Sequence, residues 1–362
     1  MKIIVDAFGG DNAPLEVIKG SRNAKDDLGV DIALVGDKEK IFSCAAQNKI
    51  SLTGIDIIDA PDVIAMTDQP GEILKSKKNC SMAVGLQALA DGKGDAFVSA
   101  GSTGALVMGA TFIVKRIKGV KRPAIGSVLP SNDKPFLLLD CGANADCTAE
   151  HLKQFAQMGA IYSEKFVKVQ SPRVALANIG TEDSKGDRLR HEAFDLLKET
   201  KGVNFIGNVE TRDVPYGCCD VLVADGFTGN IILKLYEGVA GGMMANIKSI
   251  FKKSSITMLA AMMVKGGLLA LKVRMDYSEF GGAPLLGLSK PVLKTHGSSD
   301  ARAFVSTIKR AADFAGTGVH VEIAKWVEQD AARAKAAAEA EEAAKAAEAA
   351  ASTPEKTAAA ES

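Results

Sequence analysis

The sequence has few aromatic residues, no excess of either charge and no long hydrophobic run. Forty-four Lys and Arg balance 44 Asp and Glu over 362 residues, and aromatic residues make up 5%. Zero net charge removes the usual electrostatic basis of a dedicated nucleic-acid-binding protein. No apolar run approaches the roughly 18–20 residues that span a bilayer. Because an apolar strand pattern begins at Met1–Asp6, we expect no secretory signal and a cytoplasmic location.

Cysteine is scarce as well. The six cysteines contain no CxxC pair, and none of the four histidines stands at a metal-ligand spacing from them. The vicinal pair Cys218–Cys219 could be redox-active, but buried small apolar side chains are the commoner explanation of such a pair. We expect a reduced chain without a structural metal.

Short apolar runs alternate with segments of helical length and periodicity along most of the chain. Most runs carry Val, Ile or Leu on both alternating positions, as strands buried on both faces do. This alternation predicts an α/β fold, a three-layer sandwich in which helices cover both faces of a largely parallel sheet. The predicted strands are 2–6, 31–36, 55–59, 96–99, 136–140, 173–178, 204–206 and 221–224, and the predicted helices are 14–28, 79–91, 103–118, 147–166, 186–200 and 230–252.

Two segments depart from this pattern. Residues 238–275 contain no Asp or Glu but six Lys or Arg, and their centre, 254–264, is uncharged and rich in Met. We predict a helical apolar insertion over 238–280 within an α/β domain of residues 1–325. It could be a helical hairpin buried in a subunit interface, or a cationic element that contacts an anionic membrane surface or an acidic partner. The contact residues would be Lys252, Lys253, Met262, Met263, Leu268 and Leu269. The Ala-, Glu- and Lys-rich tail, 326–362, is predicted to be helical and then disordered, without a role.

Five polar, glycine-containing turns precede predicted helices, and four of them directly follow predicted strands. They are 100–105, 141–144, 180–186, 225–230 and 295–300. In a parallel sheet such turns meet at one edge, where backbone N–H groups and hydroxyls can bind an oxyanion. Each turn alone is better explained by tight turning and helix capping, and only the convergence of five turns favours a site. Neither the P-loop nor the dinucleotide-binding glycine motif is present.

The sequence also lacks a GxSxG elbow and an identifiable catalytic cysteine. The reaction should therefore need neither a covalent enzyme intermediate nor a strong base. Acyl transfer from a thioester to inorganic phosphate fits, since phosphate is already a nucleophile and thiolate leaves readily.

Candidate site residues come from the five turns. Lys185 is the candidate for binding phosphate or neutralising the transition state, unless it is a helix-start lysine that faces solvent. Ser102, Thr103 and Asn144 would donate hydrogen bonds to phosphate or the oxyanion, and Asn178 and Thr228 would orient the thioester carbonyl. His296 would protonate the leaving sulfur or bind phosphate, although a purely structural histidine is equally compatible with the sequence. Ser298, in the same turn, would bind substrate.

Several motifs in order resemble those of the bacterial phosphate acyltransferases of phospholipid synthesis. They are 5–14 (VDAFGGDNAP), 99–105 (SAGSTGA), 176–186, 204–210 (NFIGNVE), 225–230 (DGFTGN) and the 295–300 element. The similarity runs from Met1 to about Ala324. It implies a fold akin to the isocitrate/isopropylmalate dehydrogenase and phosphotransacetylase group, and a homodimer peripherally attached to the membrane.

The resemblance also implies a reversible reaction in which a fatty acyl group passes from acyl carrier protein to inorganic phosphate. The acyl phosphate then serves the membrane glycerol-3-phosphate acyltransferase, and no cofactor is implied. The alternatives are a short-chain acyl-coenzyme A phosphotransacetylase and a non-catalytic membrane scaffold of lipid synthesis. An NAD-dependent dehydrogenase is suggested by fold analogy alone and is disfavoured, because the sequence lacks the dinucleotide-binding fingerprint.

Overall fold

The computed structural model describes residues 1–275 and 281–351. The strands are β1 Lys2–Asp6, β2 Asp31–Gly36, β3 Ile55–Asp59, β4 Ala96–Ser99, β5 Ala124–Leu129, β6 Phe136–Leu139, β7 Arg173–Asn178, β8 Asn204–Glu210, β9 Val221–Val223, β10 Ala283–Leu286 and β11 Val292–Lys294. The helices are α1 Leu15–Leu28, α2 Lys38–Gln47, α3 Ser81–Ala90, α4 Thr103–Gly109, α5 Ala149–Tyr162, α6 Arg188–Glu199, α7 Gly226–Phe251, α8 Ser255–Met263, α9 Lys265–Met275, α10 Ala301–Thr317 and α11 Val319–Ala351.

The strands form one sheet in the order β3-β2-β1-β4-β11-β10-β5-β6-β9-β7-β8. Neighbouring strands are parallel in the set β3-β2-β1-β4-β11 and in the set β6-β9-β7-β8. The three pairs between these sets, β11 with β10, β10 with β5 and β5 with β6, are antiparallel. The prediction of a largely parallel sheet is confirmed. An odd number of reversals means that the two parallel sets run in opposite directions.

The expectation that all five turns share one sheet edge is therefore wrong. Its cause is that the sequence analysis recognised neither β5, β10 nor β11. β10 and β11 are short, with four and three residues, and β5 and β10 contain Gly126 and Pro284, which weaken a strand pattern.

Helices cover both faces of the sheet and bury two separate cores. Ile3 and Val5 point into a core with α1, α5 and α10, while Ile4, between them, points into a second core with α3 and α4. This alternation is what a strand buried on both faces requires. The three-layer arrangement follows from it.

Helices α7, α8 and α9 leave the body of the protein. In α7 only Gly226, Gly229 and Ala240 are buried, and α8 has no buried residue. Residues 276–280, the end of the predicted insertion, lie outside the described residues. Within the described ranges, no helix combines the length and the hydropathy that a membrane crossing needs.

The tail continues the fold as helix. Val319, Ile323 and Val327 of α11 are buried in the first core, and Trp326 packs against it. The helix extends to Ala351, and residues 352–362 of the tail lie outside the described part of the chain.

Candidate active site

A cavity of about 290 Å³ lies beside the antiparallel strands, between α7 and α10. Four of the five polar turns line it although they come from oppositely directed strand sets. They contribute Thr103, Cys141, Gly142, Asn230, Thr295, His296 and Ser299. The structure thus brings together four of the five turns in one cavity, which is also lined by the antiparallel strands β5 and β10.

The 141–144 turn is held by the carboxylate of Asp140, which is buried. It accepts hydrogen bonds from the backbone N–H groups of Gly142, Ala143 and Asn144 at 3.2, 3.1 and 2.8 Å and from that of Ile125 at 2.9 Å. Burial raises the pKa of Asp140, although these donors oppose the shift. Asp140 is therefore a structural anchor of the cavity wall.

Asn144 does not fit the predicted role of phosphate donor. Its side-chain Nδ2 donates to the carbonyl of Pro123 at 2.8 Å and to Asp140 Oδ2 at 2.9 Å. Both amide hydrogens are used inside the protein, so neither is available for a ligand. The prediction failed because the sequence does not reveal which polar groups a buried turn consumes.

Helix α7 begins at a capped turn that packs directly on the 141–144 turn. Asp225 accepts from Thr228 N at 2.9 Å and Thr228 Oγ1 at 2.8 Å, and it pairs with Arg190. Although burial alone would raise the pKa of Asp225, these hydrogen bonds and the Arg190 charge lower it. The Gly226 N–H donates to Asn144 O at 2.7 Å.

Thr228 is consumed by this cap. Its hydroxyl donates to Asp225 and accepts from Arg190 at 3.0 Å, and it does not line the cavity. Orienting a carbonyl, as predicted, does not match this placement. The side chain that does line the cavity is Asn230, two residues on, which the sequence analysis included in the turn but did not select.

The 295–300 turn places His296 at the cavity. His296 Nδ1 lies 2.8 Å from Ser298 Oγ, and Asn12 Nδ2 donates to the Ser298 carbonyl at 3.0 Å. The hydrogen bond between His296 Nδ1 and Ser298 Oγ orients the imidazole ring and leaves its Nε2 for other contacts. Ser298 orients the histidine and does not itself line the cavity. The catalytic role of His296 stays a prediction.

The first predicted donors lie where α4 begins. Thr103 lines the cavity, as expected of a phosphate contact. Ser102 is the buried N-cap residue of α4, but its side chain forms no capping hydrogen bond. Capping of α4 therefore does not use the Ser102 hydroxyl, and its contact with substrate stays a prediction.

Lys185 and Asn178 do not line the cavity. Asn178 Nδ2 donates to the Lys185 carbonyl at 3.0 Å, which shapes the 180–186 turn, and Lys185 is exposed. Arg190 ties this turn to the 225–230 turn through Asp225. Lys185 thus belongs to a turn that is tied to the 225–230 turn but does not itself line the cavity.

The cations that line the cavity were missed by the sequence analysis. They are Lys234 on α7, Lys294 at the end of β11 and Arg310 on α10. Burial and the charge of Lys234 lower the pKa of Lys294 to about 8. The signal for Lys294 was its place one residue before the 295–300 turn, but its strand was not recognised.

A second, larger space adjoins the cavity. A groove of about 1190 Å³ runs among α7, α8 and α9, and Glu237 lines both spaces. The groove is mainly apolar, and Met244, Phe251, Met258, Met262, Leu268, Leu269 and Lys252 are among its lining residues. Of the predicted contact residues, Met263 and Lys253 lie outside the groove and are exposed.

The cysteines show no sign of redox or nucleophilic function. All six are free, and burial raises the pKa of Cys147 to about 12 and that of Cys219 still further. A thiol with a raised pKa is a poor nucleophile. In the described part of the chain, no group of three or more His, Cys, Asp or Glu could hold a metal ion.

Solved structures with a similar fold include two phosphotransacetylases and a dehydrogenase. The protein from Streptococcus pyogenes superposes with a TM-score of 0.61 at 18% identity, and EutD phosphotransacetylase from Staphylococcus aureus with 0.59 at 19%. Each match covers 87% of this chain and 94% of the other. 4-Hydroxythreonine-4-phosphate dehydrogenase from Klebsiella pneumoniae gives 0.53 at 15% identity, over 87% and 99%. At these identities the likeness concerns the fold alone.

Sequence relatives are much closer. The phosphate acyltransferase of Caldanaerobacter subterraneus subsp. tengcongensis is 44% identical over 329 residues, 91% of this chain and 98% of the relative. That of Oceanobacillus iheyensis is 47% identical over 312 residues, 86% and 92% of the two chains. A family profile described as "Fatty acid synthesis protein" matches residues 1–322. The chain therefore belongs to the phosphate acyltransferase family.

Proposed function

We propose that this protein transfers a long-chain fatty acyl group from acyl carrier protein to inorganic phosphate, reversibly, and thereby makes acyl phosphate for phosphatidic acid synthesis. The observation that carries the proposal is the junction at Glu237, where a small cavity with three cations opens beside a large apolar groove. A phosphate and an acyl chain need these two environments side by side.

The chemistry requires little beyond placement and charge. A phosphate oxygen attacks the thioester carbonyl, a C–O bond forms, the C–S bond breaks, and the thiolate takes up a proton. Lys234, Lys294 and Arg310 can balance the phosphate charge, and the side chain of Asn230 can donate to the carbonyl oxygen as it becomes an oxyanion. His296 Nε2 is a candidate proton donor to the sulfur.

The groove supports a long acyl chain. Its volume of about 1190 Å³ and its lining by Met and Leu side chains suit a flexible hydrocarbon tail. Each buried CH₂ contributes about 0.8 kcal/mol, whereas an acetyl group would leave the groove without an occupant.

The exposed face of α8 supports contact with an anionic membrane surface. Ile256, Met262 and Met263 are 80%, 66% and 83% exposed, and Lys252 and Lys253 stand just before the helix. Apolar side chains flanked by lysines and free of acidic residues are typical of an interfacial helix. We infer a cytoplasmic protein held peripherally at the inner face of the cell membrane, where it passes acyl phosphate to the glycerol-3-phosphate acyltransferase. The same lysines suit the acidic carrier protein.

A stripe along α7 supports a homodimer. Phe227, Ile231, Leu235, Val239 and Met243 follow one another at intervals of four residues, and each is more than half exposed. Neighbouring members of this series lie next to each other on the helix surface, but the series turns by about 40° at each step, so only about three consecutive members share one helix face. A second copy of the chain could bury this face, since isologous interfaces bring identical patches together.

The deciding experiment is phosphate-dependent release of free carrier protein from acyl carrier protein substrates, with acyl phosphate trapped by hydroxylamine. We expect turnover to rise with chain length and to prefer the carrier protein over coenzyme A. Equal or faster turnover with acetyl-coenzyme A would instead support a short-chain phosphotransacetylase. Two of the proteins with a similar fold are named phosphotransacetylases.

A point-mutant rescue separates an enzyme from a non-catalytic membrane scaffold. In cells depleted of the wild-type protein, a scaffold would be replaced fully by the Lys185→Ala and Ser102→Ala variants. For an enzyme in which Lys185 meets developing charge, we expect turnover of Lys185→Ala to fall roughly 10²–10³-fold. Wild-type turnover of this variant would remove Lys185 from the mechanism and leave the role to the cations of the cavity.

A further inference from the structure

Lys294 lies in the cavity wall, where backbone carbonyl groups are its hydrogen-bond partners. Its Nζ donates to the carbonyl of Ala100 at 3.4 Å and to that of Thr295, and its side chain is only partly exposed. Within the described ranges it has no carboxylate partner in an ion pair. Neutral carbonyls satisfy hydrogen bonds of an ammonium group but do not cancel its charge.

The other cations around the cavity increase this imbalance. Lys234 on α7 pairs with Glu237 at 2.9 Å, so its charge is partly balanced, yet it still acts on Lys294. Arg310 on α10 donates to the Tyr162 hydroxyl at 2.7 Å and stacks on Phe166, but its buried Nε has no hydrogen-bond partner.

Two carboxylates, one at the end of β1 and one on the loop that follows it, attract the ammonium group of Lys294. Asp6 and Asp11 favour the charged form of Lys294. Asp6 is buried and accepts from Ser99 Oγ at 2.7 Å, and burial raises its own pKa. His296, in the adjoining turn, is occupied at Nδ1 by Ser298. Burial and Lys234 outweigh the carboxylates, because the pKa of Lys294 is lowered to about 8.

We propose that Lys294 is the residue that holds the inorganic phosphate substrate, and that binding of the phosphate dianion draws a proton onto this lysine. The inference deepens the proposed function and rests on it for the identity of the reaction. A bound dianion places negative charge beside three cations of which, among the residues that the structure describes, only Lys234 is in an ion pair, so the charged form of Lys294 gains stability when phosphate is present. Affinity for phosphate should accordingly fall as the pH rises above about 8.

The test compares Lys294→Met, Lys294→Arg and a control, Lys290→Met, whose lysine lies on the loop before β11 and outside the cavity. Acyl-transfer rates are measured against phosphate concentration at a fixed acyl donor. For Lys294→Met we expect KM for phosphate to rise roughly 10- to 100-fold, with KM for the acyl donor nearly unchanged. Lys294→Arg should keep most of the phosphate affinity at pH 7 and lose the decline above about pH 8, since arginine stays charged.

Calorimetry with inorganic phosphate alone gives a readout that needs no turnover. At about pH 8.5, titrations in two buffers of different ionisation enthalpy should reveal net proton uptake by the wild type, at most about three quarters of a proton per phosphate. Both Lys294 variants should lose this uptake, and Lys290→Met should keep it.

A wild-type KM for phosphate in Lys294→Met would overturn the inference, because another group would then bind the phosphate. Undiminished proton uptake in Lys294→Arg would also overturn it, because another group would then take up the proton. A protein that binds phosphate with this proton uptake but transfers no fatty acyl group would refute the proposed function and leave the phosphate site standing.

Discussion

Gly229 is the residue at which the active-site architecture is most sensitive to one added methyl group. It lies in the first turn of α7, and a Cβ built there would stand 1.9 Å from the carbonyl oxygen of Asp140. Ordinary contact begins at about 3.4 Å, so in Gly229→Ala the helix and the 141–144 turn must separate by about 1.5 Å. The obstacle is backbone rather than a flexible side chain, so it cannot rotate away.

Two consequences follow for Gly229→Ala. Overpacking of this kind costs about 1–3 kcal/mol and occasionally more, so the free energy of unfolding should fall by at least that amount. Asn230 and Gly142, which face each other across this contact in the cavity lining, would move apart by a similar distance. Since a misplacement of about 1 Å can cost about 10²-fold in rate, we expect kcat to fall by about two orders of magnitude.

Gly238→Ala is the matched control, because it makes the same change in the same helix. Gly238 is exposed and a Cβ there meets nothing within 4 Å. Alanine is the better helix former by about 0.5–1 kcal/mol, so this variant should be slightly more stable and fully active. Urea midpoints and acyl-transfer rates of both variants check the argument. A Gly229→Ala protein with wild-type rate and midpoint would refute the close packing of α7 on the 141–144 turn.

Three further predictions concern the contacts around the site. Arg190→Met should lower the free energy of unfolding at pH 7 by about 3 kcal/mol, because it leaves the largely buried Asp225 carboxylate without its ion pair. Since the pKa of Asp225 is lowered in the folded protein, the difference in unfolding free energy between variant and wild type should shrink as the pH falls below about 4. A urea midpoint that Arg190→Met leaves unchanged across that pH range would contradict this prediction. The double change Leu268→Glu, Leu269→Glu should release the protein from anionic vesicles in co-sedimentation, and undiminished binding would remove this part of the chain from the membrane contact. Leu235→Glu should halve the mass measured by light scattering, whereas an unchanged mass would place the dimer contact away from the α7 stripe.

Local pattern was sufficient for much of the fold. Strands such as Lys2–Asp6 and Arg173–Asn178 were predicted to the residue, because each is a run of branched apolar side chains closed by a polar turn. Helix α2 was missed because few apolar residues mark its face; only Ile41 and Ala45 are buried. The prediction that all five turns share one edge of the sheet was wrong, because the relative direction of the strands depends on pairing between segments that are distant in the sequence. The sequence does not display that pairing.

The candidate site divides along the same line. By itself the sequence determined which turns carry polar chemistry, since glycine and hydroxyl residues at strand ends are local features, and it determined the family through motifs spread over the chain. Only the tertiary structure decided which of those side chains are free. Asn144 and Thr228 spend their hydrogen bonds on neighbouring protein groups, whereas Lys294 lines the cavity and forms no ion pair within the residues that the structure describes. Hydrogen-bond satisfaction and burial are properties of the packed chain, and no residue carries them alone.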